Sequence, residues 1–179
     1  MTQSGFVLAG GASSRMGRDK ASLPYRGTSL IEHIARAVRE AAGNVTVIGG
    51  ASGTPDKIPG LGPIGGLFTA LSETGSDWNL VMACDMPGIS AEVLRILLKR
   101  CEISPADCVY ASMDGQPEPL CAVYHRRCLS AVARAIKFKR LKMLDLLAEL
   151  AVDMQPLDPA VLANANTPAE WAELQNEPK

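Results

Sequence analysis

The chain has 179 residues, 47% of them hydrophobic and 4% aromatic, with a formal net charge of −1. That length suits one domain with a full core, and the near-zero charge and few rings exclude a protein that coats a polyanion or stacks nucleobases along a strand. Five cysteines with no CxxC pair, beside only two histidines, exclude a zinc framework; they fit a reduced, cytoplasmic setting, with no signal peptide and no apolar run of the ~20 residues a membrane span needs.

In chain order, residues 5–9 predict a short buried strand that opens into a glycine-rich loop. Residues 29–42 predict a helix: Ser29 and Glu32 form a capping-box pair, apolar positions recur at Leu30, Ile34, Val38 and Ala41, and Gly43 suits the stop. Residues 45–48 predict a second strand, 63–73 a helix preceded by glycines, and 80–84 a third buried strand ending at Asp85. A helix over 90–100 follows, then two strands over 108–113 and 120–124 around the Asp114-Gly115 turn signal. Helical stretches are expected over 126–136 and 143–150. A last short helix opens at Thr167-Pro168-Ala169-Glu170. This alternation predicts a doubly wound α/β fold, a mostly parallel sheet with helices on both faces.

The loop Leu8-Ala9-Gly10-Gly11-Ala12-Ser13-Ser14-Arg15-Met16-Gly17-Arg18-Asp19-Lys20 combines adjacent glycines with three cations. Glycines let backbone N–H groups converge on a phosphate, and cations neutralise it. The P-loop ending Gly-Lys-Ser/Thr is absent, as is the GxGxxG dinucleotide fingerprint. The loop follows the first strand, at the sheet edge where α/β proteins bind ligands. Asp85 stands at the corresponding end of the third strand. Mg²⁺ that bridges phosphate oxygens takes one or two protein carboxylates, so one well-placed aspartate suffices. Asp56 precedes a Gly-Pro segment. As an acceptor it could read the adjacent N1–H and 2-amino donors of guanine.

Leu8-Ala9-Gly10-Gly11 followed by Arg15-Met16-Gly17 and Asp19-Lys20 resembles the signature loop of the molybdenum cofactor guanylyltransferase family. Further along, Gly62-Pro63-Ile64-Gly65-Gly66, Cys84-Asp85-Met86-Pro87, Glu118-Pro119-Leu120-Cys121-Ala122-Val123-Tyr124 and Asn164-Ala165-Asn166-Thr167-Pro168 resemble that family's segments in the same order. The resemblance implies a single Rossmann-like nucleotidyltransferase domain over 1–179, with residues 1–100 holding the nucleotide and 101–179 the acceptor. It implies transfer of GMP from GTP to the phosphate of molybdenum-molybdopterin, forming the molybdopterin guanine dinucleotide cofactor and releasing pyrophosphate. Mg²⁺ is the implied cofactor, held by Asp85. Other molybdenum cofactor proteins are candidate partners.

The implied catalytic residues are Arg15, Lys20 and Asp85. Leu8, Ala9, Gly10, Gly11, Lys20, Asp56, Gly62, Gly66 and Asp85 are the implied GTP contacts, with N–H groups from Leu8 to Gly10 on the phosphates. Asn164 and Asn166 are either helix-entry residues or groups near the acceptor or metal. Related cytidylyltransferases carry Leu-Ala-Ala-Gly in the opening loop, so Leu8-Ala9-Gly10-Gly11 favours GTP over CTP. A cytidylyltransferase, a sugar-phosphate nucleotidyltransferase and a non-catalytic nucleotide-binding relative are the alternatives.

The chain departs from the family pattern twice. Val47-Ile48-Gly49-Gly50 lacks an asparagine that some members place after the second strand. Phe138-Lys139-Arg140-Leu141-Lys142 stands where a glycine-rich stretch is usual. From Pro119 to Leu144 there is no acid, while Arg126, Arg127, Arg134, Lys137, Lys139, Arg140 and Lys142 are basic. Such a run is either a solvated helix face or a landing patch for an anionic acceptor.

Overall fold

The computed structural model describes residues 2–9 and 23–163. Gly10, Gly11, Arg15, Lys20, Asn164, Asn166 and the helix expected at Thr167 lie outside the described residues.

The first strand is β1 (Gln3–Leu8). A small hairpin, β2 (Pro24–Tyr25) and β3 (Thr28–Ser29), leads into α1 (Leu30–Ala42) and β4 (Thr46–Ile48). Next come α2 (Pro63–Glu73), β5 (Trp78–Ala83), α3 (Ala91–Ile103), β6 (Cys108–Met113) and β7 (Gln116–His125). A 3-10 turn (Arg126–Cys128) precedes α4 (Leu129–Lys137), α5 (Met143–Leu147), β8 (Val152–Pro156) and α6 (Pro159–Leu162). The six-stranded sheet has the order β4-β1-β5-β7-β6-β8. β1 runs parallel to β4 and β5, and β6 to β8, while β7 is antiparallel to both neighbours. The sheet is therefore mostly parallel, as expected.

Side chains alternate across the sheet and divide the core in two. Val7, Leu80, Met82, Cys121 and Val123 face α1, α3 and α6. Phe6, Leu8, Val81, Ala122 and Tyr124 face α2, α4 and α5. Helices on both faces explain why β5 is buried along its whole length, apolar throughout except for Asn79 rather than alternating.

The capping logic of α1 holds in full. Ser29 accepts from the Glu32 amide, the Glu32 carboxylate accepts from the Ser29 amide, and Gly43 ends the helix in the left-handed region. The Asp114-Gly115 signal is the β6–β7 turn, with both residues at positive φ. Three elements were not expected from the sequence: the β2–β3 hairpin, turned by Arg26 and Gly27 at positive φ; the edge strand β8; and α6. The stretch predicted as one helix over 126–136 divides, because the His125 side chain caps a 3-10 turn ahead of α4.

Candidate nucleotide site

From β1 the chain crosses to β4 on one side, then returns over the opposite face to β5 on the other. The C-terminal ends of β1 and β5 thus flank a topological switch point, where open α/β sheets bind ligands. Leu8-Ala9, Gly49 after β4, and Cys84-Asp85 after β5 all lie on this edge.

Ala9 is buried, and its N–H donates to the Ile48 carbonyl at 2.8 Å. Leu8 is in the β1 ladder to β4 and β5. This corrects one expectation: the N–H groups at Leu8 and Ala9 are committed within the sheet and are not available to a phosphate. The Leu8 side chain instead packs on α2. A Cβ added to Gly66 would stand 3.1 Å from a Leu8 methyl, so the bare glycine lets helix and strand close together. Gly62 differs from Gly66. It caps α2 at φ +68 with open space where a Cβ would point. α2 starts without a side-chain cap and without an acid in its first turn; Pro63 carries no N–H, and the Gly65 and Gly66 N–H groups donate to the Gly62 carbonyl at 3.0 and 3.4 Å.

Asp56 lies on the loop between β4 and α2. That loop doubles back so that Thr54 bridges Ile48, with the Thr54 N–H on the Val47 carbonyl at 2.8 Å and the Gly49 N–H on the Thr54 carbonyl at 2.7 Å. It is then fastened to α2 by the Lys57 N–H on Thr69 Oγ1 (2.9 Å) and by a Lys57–Glu73 ion pair (2.7 Å). The Asp56 Oδ1 is buried and has no hydrogen-bond partner among the described residues. Burial raises its carboxyl above the ordinary value. A buried acceptor held this way costs stability unless something donates to it.

Asp85 is half-buried just beyond β5. The turn that carries it is tied to α1, where His33 Nε2–H donates to the Pro87 carbonyl at 3.1 Å. Beyond it, Gly88 lies so close to α6 that a Cβ would meet the Ala160 carbonyl at 2.8 Å. A second carboxylate, which the sequence did not single out, shares this edge. Glu118 on β7 is half-buried, and burial together with the negative charge of Asp85 raises its carboxyl. The only sequence signal was its place at the head of the Pro119-Leu120 strand segment. The described residues hold no cluster of three or more His, Cys, Asp or Glu side chains. A pair of carboxylates fits Mg²⁺, which fills its remaining positions with water and phosphate oxygens.

The basic run is partly neutralised from outside itself. Arg127 pairs with Asp107, and Arg134 and Arg140 both pair with Glu149. Lys137 and Arg140 also lie within 5.9 Å of the exposed Phe138 ring. These arginines thus serve packing of the α4–α5 side. All five cysteines are free. Burial pushes the Cys101, Cys121 and Cys128 thiols up to about 12 and the Cys108 thiol well above its ordinary value, so none of these four is a nucleophile. No helix among the described residues is long and apolar enough to cross a membrane.

A family model described as MobA-like NTP transferase domain matches residues 5–154. A probable molybdenum cofactor guanylyltransferase of Bacillus subtilis is 34% identical over 191 residues, covering 96% of this chain and 94% of its own. One from Flavobacterium johnsoniae is 32% identical over 180 residues, covering 94% of each. Among solved structures, that of molybdopterin-guanine dinucleotide biosynthesis protein A from Archaeoglobus fulgidus aligns with a TM-score of 0.82 at 27% identity, covering 96% of both chains.

Proposed function

The chain belongs to the MobA-like NTP transferase domain family, and from that membership we propose that it transfers GMP from GTP to the phosphate of molybdenum-molybdopterin. The product is molybdopterin guanine dinucleotide, and pyrophosphate is released. The observation that carries the choice of nucleotide is Asp56. Its buried carboxylate oxygen, unpartnered among the described residues, on the loop that packs along α2, suits the paired N1–H and 2-amino donors of guanine. Cytosine offers one amino donor beside a ring acceptor, which a carboxylate repels.

An oxygen of the acceptor phosphate attacks the α-phosphorus of GTP in line. The new P–O bond forms as the bond to the β-phosphate breaks, and the electron pair leaves on pyrophosphate. The nucleophile is already an anion, so neither a covalent intermediate nor a general base is needed. Positioning and charge neutralisation supply the acceleration. Gly10 and Gly11 contribute backbone N–H groups to the phosphates, and Arg15 and Lys20 stabilise the departing pyrophosphate. Asp85 holds a divalent cation, taken to be Mg²⁺, which when bound neutralises triphosphate charge. Asn164 and Asn166 complete the acceptor or metal side. Residues 1–100 serve the nucleotide and 101–179 the acceptor, in the cytoplasm.

The test is pyrophosphate release from GTP with Mg²⁺ and molybdenum-loaded molybdopterin. Release should require all three, and Asp85→Ala should lower turnover by on the order of 10²-fold or more while the fold persists. Equal or faster release from CTP would overturn the guanine assignment. Near-normal turnover of Asp85→Ala would remove the cation from that residue.

A further inference from the structure

Glu118 is a carboxylate at the transfer edge to which the proposed chemistry gives no role. Its position is built. The β5–β7 ladder ends at Met82↔Cys121; Asp85 lies three residues past Met82, in the turn after β5, and Glu118 three before Cys121 on the antiparallel strand, so both acids lie beyond the same end of that ladder. On its other side β7 is irregular. Tyr110 pairs with Ala122, but the next residue, Ala111, pairs with Glu118, so residues 119–121 bulge from the β6 ladder. The wholly buried Tyr124 pins that bulge, its hydroxyl donating to the Pro119 carbonyl at 2.8 Å. A bulge so anchored re-aims the residue beside it.

The result is electrostatically unfavourable in isolation. Glu118 is half-buried, forms no ion pair among the described residues, and shares its end of the β5–β7 ladder with a second carboxylate. Two facing carboxylates repel unless a cation lies between them. The family's need for a divalent cation gives this repulsion a use, and oxygen donors from two acids are the set Mg²⁺ or Mn²⁺ accepts beside phosphate oxygens. We propose that Glu118 is the second carboxylate of the divalent-cation site at Asp85. This rests on the reading that Asp85 binds the cation.

Mn²⁺ titration of the purified chain, followed by the electron paramagnetic resonance of free Mn²⁺, needs no acceptor and no turnover. Wild type, Asp85→Asn, Glu118→Gln and Glu118→Asp are compared, with thermal melts to confirm folding. Glu118→Gln should weaken Mn²⁺ binding about tenfold or more, Glu118→Asp should restore part of it, and Asp85→Asn should weaken it further. If Glu118→Gln binds Mn²⁺ like wild type while Asp85→Asn does not, the Glu118 assignment is overturned and the Asp85 reading stands. A Glu118→Gln chain with unchanged Mn²⁺ affinity and a raised acceptor KM would likewise overturn it, assigning Glu118 to the acceptor. If both variants bind Mn²⁺ like wild type, the Asp85 reading falls too.

Discussion

A Cβ at Gly53 would stand 2.1 Å from the Gly49 carbonyl oxygen and 2.9 Å from that of Val47. Both obstacles are backbone, so an alanine there fits only if the loop opens. The loop is the one that returns Thr54 to Ile48 and, two residues on, sets Asp56 against α2. Gly53→Ala should therefore cost about 1–3 kcal/mol of stability, as overpacking does, and should weaken GTP binding by displacing Asp56. Mn²⁺ binding at Asp85, on a different strand end, should persist. Thermal melts and calorimetry check this; wild-type stability together with wild-type GTP affinity would mean that the loop does not position Asp56. Residue by residue, the site was unevenly legible. Asp85 was readable because an apolar run ends on it and a proline follows. Glu118 was not, because in sequence it is an ordinary strand acid. Only the pairing of β7 with β5 brings it to the same end of the ladder as Asp85. The committed N–H of Ala9 was equally invisible, since it depends on the pairing of β1 with β4.

Among elements, α1 was the most legible, because its start, stop and buried face are all local. Ser29, Glu32 and Gly43 act within a few residues of one another, and Leu30, Ile34, Val38 and Ala41 form the buried stripe. Removing the Ser29 hydroxyl leaves the Glu32 amide without its acceptor. Ser29→Ala should cost ~1 kcal/mol in denaturant unfolding with an unchanged slope, whereas Ser29→Asp should retain most of the cap. A Ser29→Ala chain as stable as wild type would show that water satisfies that amide equally well. The elements missed are those whose cause is not local. β8 reads as alternating because it is an edge strand exposed on one face, and it exists by pairing with β6, 44 residues earlier in sequence. α6 spans Pro159–Leu162 only, too short for any periodicity. It is held by Leu162 in the core and by its backbone against Gly88.

At the scale of the whole molecule, the chain's two histidines each tie separate elements together in the neutral state. His33 joins α1 to the Asp85 turn: Nε2–H donates to the Pro87 carbonyl, the ring meets Tyr25 edge-on at 4.8 Å, and Nδ1 is buried without a partner among the described residues. Protonating it would bury an unsatisfied N–H beside Arg26 and Arg36, and burial above all lowers its pKa below 6.5. His125 ends β7, edge-on to Trp78 at 4.9 Å, with Nδ1 accepting the Arg127 N–H at 3.1 Å. A proton there would remove that acceptor, and burial again leads the downward shift, with the Arg127 charge next. For both groups the unfolded chain takes up protons before the folded one. Stability therefore rises with pH through this window and is lost as pH falls below about 6.5. Glu32 acts in a separate window. Its carboxyl is held at about 2 by hydrogen bonds from Thr28 and Ser29, so its contribution fades only between pH 4.5 and about 2. Midpoints of thermal unfolding from pH 8 to 5 should fall for wild type. They should fall less for His33→Gln, and least for His33→Gln combined with His125→Gln, whose amides cannot titrate. An identical slope in the double variant would place the acid sensitivity on carboxylates instead.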